Sequence, residues 1–97
     1  MKFLVIWNID IALLSRGVMQ AVLNMADYAK PLEEQGKVLS RYHIVGSHGG
    51  AWMYNVESNE ELDMLLARSP VYNFSRYTVY PLAEMVPPGM RTPDPEK

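Results

Sequence analysis

Residues 38–56, with the sequence VLSRYHIVGSHGGAWMYNV, decide the fold of this chain. Residues 38–45 interleave polar and apolar side chains as a strand does, and residues 51–56 have the composition of a second strand. Between them, Gly46 to Gly50 has the composition of a turn, so the second strand is expected to return antiparallel beside the first. The stretch therefore predicts a β-hairpin that carries polar groups inside the sheet region.

A long helix is predicted before the hairpin, over about residues 15–35. Its apolar residues recur at spacings of three and four and trace one stripe: Val18, Met19, Val22, Leu23, Met25, Ala26, Ala29 and Leu32. Pro31 is expected to kink this helix or to restart its last turn, because proline has no amide donor. Gly36 is expected to end the helix in the left-handed conformation, directly before the hairpin.

Three further elements complete the pattern. Phe3 to Trp7 is apolar on both alternating faces, which predicts a central first strand covered on both sides. Ser58 and Glu61 form a capping box that begins a second helix, which runs to about Arg68. Phe74 to Leu82 is aromatic and β-branched, which predicts a last strand. The predicted order is βαββαβ.

This order predicts an α+β fold of the ferredoxin-like type, with a four-stranded antiparallel sheet and both helices on one face. The domain is predicted over residues 1–85, and residues 86–97 are expected to be an extended, proline-rich tail or arm. The other sheet face carries aromatic and aliphatic residues. We therefore expect it to pack against a second copy, which closes a dimeric α+β barrel around a shared or paired pocket.

Length, charge and cysteine content limit the function. A chain of 97 residues allows one domain, and a formal net charge of -2 provides no basic field for nucleic acid. Without cysteine there is no disulfide, no thiolate nucleophile and no cysteine-ligated metal. The apolar N-terminal run is too short to span a membrane and lacks a signal-peptide cleavage pattern. We therefore expect a cytoplasmic protein with neither nucleic-acid nor membrane partners.

Turn, cap and helix-stop residues of this chain resemble those of one known family. They are Gly36-Lys37-Val38-Leu39, Gly46, Asn55-Val56-Glu57-Ser58 with Glu60-Glu61-Leu62, Ser69-Pro70 and Tyr80-Pro81-Leu82. Over about residues 1–85, the pattern resembles the muconolactone isomerase-like family of dimeric α+β barrel proteins. The resemblance implies a cofactor-independent enzyme that moves a proton along a small lactone, and homo-oligomers up to decamers.

The hairpin departs from the pattern of that family. Its members carry Arg-Ile-Ala-Gly-His where this chain has HIVGS, so His43 stands at the arginine position and Ser47 at the histidine position. The resemblance therefore favours a relative that acts on another small lactone or a polyketide-like natural product of secondary metabolism. Such an enzyme is expected to work as an isomerase or cyclase.

The candidate catalytic residues are His43, His48 and Tyr42. Histidine titrates near neutrality, as a group that takes a proton from one carbon and returns it to another must do. The ordinary alternatives are a histidine packed in the sheet for His43 and a solvated turn residue for His48. Regular alternation places His43 and Tyr42 on opposite strand faces, and the sequence leaves open which of them faces a pocket.

The candidate substrate-binding residues are cationic, aromatic or amide side chains: Arg41, Arg76, Trp7, Asn8, Trp52 and Tyr54. The arginines suit a substrate carboxylate or a developing enolate, and their alternative is a surface or interface salt bridge. The aromatic residues suit a flat conjugated ligand or the core, and Asn8 suits an oxyanion or a turn. The two histidines lack the spacing of metal ligands, so no metal is expected, and no cofactor either.

Two other classes of function stay open. Cofactorless monooxygenases of the dimeric α+β barrel type use aromatic-lined pockets with Asn, Trp, Tyr and Arg, to which Trp7, Asn8, Trp52 and Arg76 correspond in kind. A non-catalytic small-molecule-binding module is the third possibility, and it is favoured if side chains fill the space between the sheets. The volume of a pocket separates this third class from the two enzyme classes.

Overall fold

The computed structural model describes residues 1–86 of the 97-residue chain. Its helices and strands are β1 (Lys2–Ile9), α1 (Arg16–Leu23), α2 (Met25–Glu34), β2 (Val38–His43), β3 (Gly49–Asn55), α3 (Asn59–Ala67) and β4 (Ser75–Leu82). Short 3-10 helices at Ile11–Leu13 and Tyr72–Phe74 follow β1 and precede β4. Apart from Val86, the predicted proline-rich tail over 86–97 lies outside the described residues.

The four strands form one antiparallel sheet in the order β2-β3-β1-β4. This order places the first strand in the interior of the sheet and leaves β2 and β4 at its edges. The predicted α+β fold of the ferredoxin-like type, with a four-stranded antiparallel sheet, is therefore confirmed.

The two faces of β1 have different environments. Phe3, Val5 and Trp7 are buried in one core with residues of all three helices, among them Val18, Ala29 and Leu62. Leu4 and Ile6, on the opposite face, are only half-buried. The sequence predicted a central first strand covered on both sides; β1 is central, but within one chain the helices cover only one face of the sheet.

The predicted long helix is divided at Asn24 into α1 and α2, rather than at Pro31. The amide of Asn24 donates to the Gln20 carbonyl at 3.0 Å, and the Asn24 carbonyl accepts from Tyr28 at 3.1 Å, so the chain resumes its helical path at once. Pro31 lies inside α2 and its carbonyl accepts the Gln35 amide at 3.0 Å. Proline is tolerated here because Asp27, one turn back, is exposed and its carbonyl can bind water.

The end of α2 follows the prediction. Gly36 has a φ of 74°, in the left-handed region that glycine adopts without strain. The Lys37 amide then donates to the Leu32 carbonyl at 2.8 Å, and the Gly36 amide donates to the Glu33 carbonyl at 3.0 Å. These bonds satisfy the free carbonyls of the last turn and direct the chain into β2.

The hairpin turn is shorter than predicted. Ile44 accepts the Ser47 amide at 3.1 Å, and Gly46, with a φ of 82°, stands at the third position, where this kind of turn requires glycine. Gly49 and Gly50, predicted to be in the turn, instead begin β3. Their role is close approach, because a Cβ on Gly49 would lie 1.9 Å from the backbone oxygen of Trp7.

A β-bulge interrupts β2. Val38 pairs with Tyr54 and Ser40 pairs with Met53. Because Tyr54 and Met53 are consecutive on β3, Leu39 has no partner of its own and is the extra residue of the bulge. Beyond the bulge, Arg41 pairs with Trp52. After the bulge, each residue of β2 therefore lies on the sheet face opposite to the one that strict alternation from Val38 would give it.

The predicted N-terminal cap of α3 forms with its second hydrogen bond displaced by one residue, because the Glu61 carboxylate binds the Glu57 amide rather than that of the N-cap residue Ser58. Ser58 Oγ accepts the Glu61 amide at 3.0 Å, and Glu61 Oε1 accepts the Glu57 amide at 2.8 Å. Lys37 Nζ lies 2.9 Å from Glu61 Oε2 and joins this cap to the start of β2. A cap of this kind contributes about 1 kcal/mol to helix stability.

Candidate functional site

A pocket of about 500 Å³ lies between the helices and the β2–β3 end of the sheet. From α1 and α2 it is lined by Met19, Val22, Leu23, Met25 and Ala26. From the sheet and the hairpin it is lined by Trp7, Arg41, Tyr42, His43, Ser47, His48, Gly49, Gly50 and Trp52. The volume is large enough for a small molecule.

All three candidate catalytic residues and three of the six candidate binding residues line this pocket. His43 pairs with Gly50 and Arg41 pairs with Trp52, so both side chains lie on the helix side of β2. His48 reaches the pocket from the end of the hairpin turn, where its carbonyl accepts the Ile9 amide at 2.9 Å. The bulge in β2 explains why Arg41 and His43, rather than Ser40 and Tyr42, face the helix side of the sheet.

Tyr42 lies at the edge of the pocket. It pairs with Ala51, so alternation directs its side chain to the sheet face opposite the helices, and the residue is 64% exposed. Its backbone oxygen comes close to Gly50, since a Cβ on that glycine would lie 2.8 Å from it. The strand register therefore directs the side chain of His43, rather than that of Tyr42, to the helix side of the sheet, and the catalytic roles of both residues remain predictions.

Arg41 is held by two side chains beside the pocket. Its Nε lies 3.3 Å from Glu33 Oε2, at the end of α2. Its guanidinium also lies over Trp52, whose ring in turn stacks with Tyr54 at a centroid distance of 6.1 Å. The arginine is thus fixed between a carboxylate and an indole, with further N–H groups available to a ligand.

Three candidate binding residues lie outside the lining of this pocket. Asn8 is exposed on the opposite sheet face, where it pairs with Arg76. The Arg76 side chain is 85% exposed, and its Nη2 lies 3.7 Å from Asp10 Oδ2, as in a surface salt bridge. Tyr54 is part of the core, and burial, followed by the nearby phenols of Tyr28 and Tyr77, raises its pKa. Their predicted binding roles remain predictions.

The helical lining of the pocket comes from the apolar stripe that the sequence predicts for this region. Met19 and Leu23 belong to the predicted apolar stripe, yet both are exposed on α1. The apolar stripe of α1 is wider than the core requires, because only Val18 of its eight residues is buried. Apolar residues in excess of the core are the sequence signal for such a pocket lining. The apolar side chains of α1 that the core does not bury line the pocket instead.

Residues 1–86 contain neither a membrane-spanning helix nor a cluster of metal-binding side chains. No helix in this part of the chain is long and apolar enough to cross a membrane. No group of three or more His, Cys, Asp or Glu side chains that could hold a metal ion occurs there either.

The family comparison covers almost the whole described structure. Residues 1–86 match the family model described as muconolactone delta-isomerase. The chain belongs to the muconolactone delta-isomerase family. The match includes the pocket, its lining helices and the complete sheet of this family member.

Curated relatives match over a shorter stretch. The muconolactone Delta-isomerase of Cupriavidus pinatubonensis is 33% identical over 57 residues, which is 59% of this chain and 62% of the relative. That of Acinetobacter baylyi is 34% identical over 55 residues, which is 57% of each protein. The matched part therefore spans less than two thirds of the length of these two muconolactone isomerases.

Two solved structures share the fold. A crystal structure of muconolactone isomerase superposes with a TM-score of 0.75 at 20% identity, over 97% of this chain and 98% of the other. A 5-chloro-2-hydroxyhydroquinone dehydrochlorinase from Burkholderia phenoliruptrix, in complex with 2,5-dihydroxybenzoquinone, superposes with a TM-score of 0.69 at 15% identity. That match covers 88% of this chain and 96% of the dehydrochlorinase. At these identities the two structures show the fold of the muconolactone delta-isomerase family.

Proposed function

We propose that the protein is a cofactor-independent isomerase or cyclase that transfers a proton within a small lactone or a polyketide-like natural product. The observation that carries this proposal is the convergence of His43, His48 and Arg41 on one largely apolar pocket. Family membership supports an isomerase-type reaction. The dehydrochlorinase with a dihydroxybenzoquinone bound supports a flat, oxygenated ring as ligand.

In the proposed reaction, His43 is the general base. The neutral imidazole removes a proton from the carbon beside the ligand carbonyl, and the electron pair moves into an enolate. Arg41 stabilises the charge that develops on oxygen, or binds a carboxylate carried by the ligand. The imidazolium exchanges its proton with solvent and then delivers a proton to a second carbon, so the double bond moves and no atom is gained or lost.

Exchange of hydrogen for deuterium tests this proposal. α-Angelica lactone, which isomerises by moving a proton from C3 to C5, and muconolactone, which carries a carboxylate, are incubated with the protein in D₂O. We expect NMR to show isomerised lactone with deuterium at the carbon that receives the proton. Rates no higher than those of buffer for both lactones, and for a wider set of phenolic polyketides, would reject the proposal.

A cofactorless monooxygenase is the second candidate, because the indoles of Trp7 and Trp52 both line the pocket. An electron-rich aromatic ring would pack between such walls. Consumption of dioxygen during turnover of a phenolic substrate distinguishes this reaction from isomerisation, which consumes none. A non-catalytic binding module is the third candidate, and it predicts ligand binding without either reaction.

A further inference from the structure

Trp7 has a polar atom that the fold itself does not use. Its side chain is 6% exposed, and its indole Nε1 has no hydrogen-bond partner among the described residues. A buried donor without an acceptor is unfavourable, and native proteins rarely keep one without a reason. Trp7 also lines the pocket that holds His43 and Arg41.

Three residues on neighbouring strands place this N–H group beside the proposed chemistry. Trp7 pairs with Gly50, and Gly50 pairs with His43, so the three form one row across β1, β3 and β2 on the helix side of the sheet. Cross-strand neighbours are about 5 Å apart, which separates the Cα atoms of Trp7 and His43 by about 10 Å. The middle position of the row has no side chain.

The edge of the indole that carries Nε1 is directed to this glycine. A Cβ on Gly50 would lie 3.0 Å from Nε1 and 3.2 Å from Cε2 of Trp7. Gly50 thus leaves a notch with the Trp7 donor on one side and the His43 imidazole on the other. Both Trp7 and Gly50 belong to the pocket lining, so the notch is part of the pocket floor.

We propose that the Trp7 N–H donates a hydrogen bond to a carbonyl or enolate oxygen of the ligand, which sits over Gly50 with its reacting carbon toward His43. The ligand class is therefore a flat, conjugated molecule with an acceptor oxygen at one edge, such as a lactone or a cyclic enone. A planar ring fits beside the indole, while the oxygen satisfies the buried donor. His43 is exposed and can change rotamer to admit the ligand. This inference rests on the pocket being the ligand site of the proposed function.

Indole NMR tests the hydrogen bond directly. The chain has two tryptophans, so its ¹⁵N spectrum contains two indole N–H signals, and the variant Trp7→Phe assigns them. The probes are coumarin, a flat lactone that does not isomerise, and naphthalene, which has a similar shape and no acceptor. With coumarin we expect the Trp7 signal to move downfield more than the Trp52 signal. With naphthalene we expect no such preference.

Affinities supply the second measurement. Trp7→Phe is expected to weaken coumarin about 3- to 10-fold, the worth of one hydrogen bond, and to leave naphthalene unchanged. The matched control Trp52→Phe is expected to weaken both probes equally, because the Trp52 Nε1 is not among the buried atoms left without a hydrogen-bond partner in the described part of the chain. If Trp7→Phe does not fold, Trp52→Phe assigns the two indole signals, and the shifts in the unaltered protein still decide.

The outcomes separate this inference from the proposed function. The Trp7 hydrogen bond is overturned if coumarin shifts only the Trp52 indole signal and Trp7→Phe binds coumarin as tightly as the unaltered protein. That result leaves proton transfer by His43 standing. Absence of coumarin binding also overturns it. A specific Trp7 shift in a protein that places no deuterium in any lactone supports the inference and rejects the isomerase.

Discussion

The guanidinium carbon of Arg41 lies 5.4 Å from the centroid of the Trp52 ring. The same side chain reaches Glu33 at 3.3 Å, so a single cation joins the end of α2 to the wall of the pocket. A guanidinium carries five N–H donors in a rigid plane, and one carboxylate does not use them all. Arg41 is therefore positioned before any ligand arrives.

Arg41→Gln is expected to impair binding of a carboxylate-bearing lactone selectively. Loss of a charge-assisted hydrogen bond should raise the KM for muconolactone about 10-fold, while the KM for α-angelica lactone, which has no carboxylate, changes little. The matched control is Arg76→Gln, which removes the same charge from an exposed site outside the pocket. An effect of Arg76→Gln without one of Arg41→Gln would place the carboxylate elsewhere.

Replacement of His43 should lower turnover more than any other change in the hairpin. His43→Gln is expected to reduce kcat about 10²- to 10⁴-fold with the fold intact, as loss of a general acid–base does. His48→Gln should have a smaller effect, because His48 lies at the end of the turn. Tyr42→Phe should leave kcat unchanged, since that side chain lies on the opposite sheet face. Loss of activity in Tyr42→Phe alone would reverse the assignment.

Gly49 is predicted to be far less tolerant of a side chain than Gly17. Gly49→Ala places a Cβ 1.9 Å from the Trp7 backbone oxygen, so strands must separate, and we expect a loss of about 3 kcal/mol or more. Gly17→Ala lies in α1, where a Cβ would come no closer than 3.9 Å to Ser15 Oγ, and should stabilise by about 0.5 kcal/mol. Urea unfolding of both variants measures the contrast.

The cap of α3 is expected to make stability depend on acid. The Glu57 amide, and then Lys37, hold the pKa of Glu61 below its ordinary value of 4.5. A carboxyl group whose pKa is lower in the folded state than in the unfolded state stabilises the fold at pH values above its unfolded pKa. That contribution is lost as the pH falls through the folded pKa. Between neutral pH and acid, Glu61→Gln should therefore lose less stability than the unaltered protein. Glu60→Gln, from the same helical turn, should retain the full dependence, and equal slopes for all three proteins would contradict the prediction.

The sheet face opposite the helices is expected to bind a second copy of the chain. Leu4, Ile6 and Met53 lie there half-buried in the single chain. Ile6→Lys should therefore yield monomers at micromolar concentration in sedimentation, where the unaltered protein forms dimers or larger assemblies. Ala67→Lys, which adds the same charge on exposed α3, is the control. A monomeric unaltered protein would remove the basis of this prediction.

Local patterns predicted most of the fold because each has a short-range cause. Each of these features depends only on residues a few positions away. Examples are the alternation of Phe3, Val5 and Trp7, the cap formed by Ser58, and the left-handed conformation of Gly36. The break at Asn24 was not predicted, since the apolar stripe runs through it without interruption.

Long-range contacts explain what the sequence did not reveal. Gly49 and Gly50 have the composition of a turn, and only the approach of Trp7 from another strand explains why they belong to β3. The residue types of the site were predicted, but the separation of Arg41 and His43 from Arg76 depends on which strand face each one occupies. Composition contains no information about that choice.

The bulge at Leu39 divides β2 into two frames, that is, two successive segments in which alternation assigns side chains to the two sheet faces differently. The frame that begins at Val38 is set by the end of α2 and by the core, and the frame that contains Arg41 and His43 is set by the hairpin turn and the pairing with β3. The extra residue absorbs the difference of one between them. Deletion of Leu39 would merge the frames and leave the guanidinium and the imidazole on the helix side. A deletion between residue 43 and the turn would instead exchange them for a phenol and a hydroxyl, so the chemistry of this wall depends on chain length as much as on residue identity.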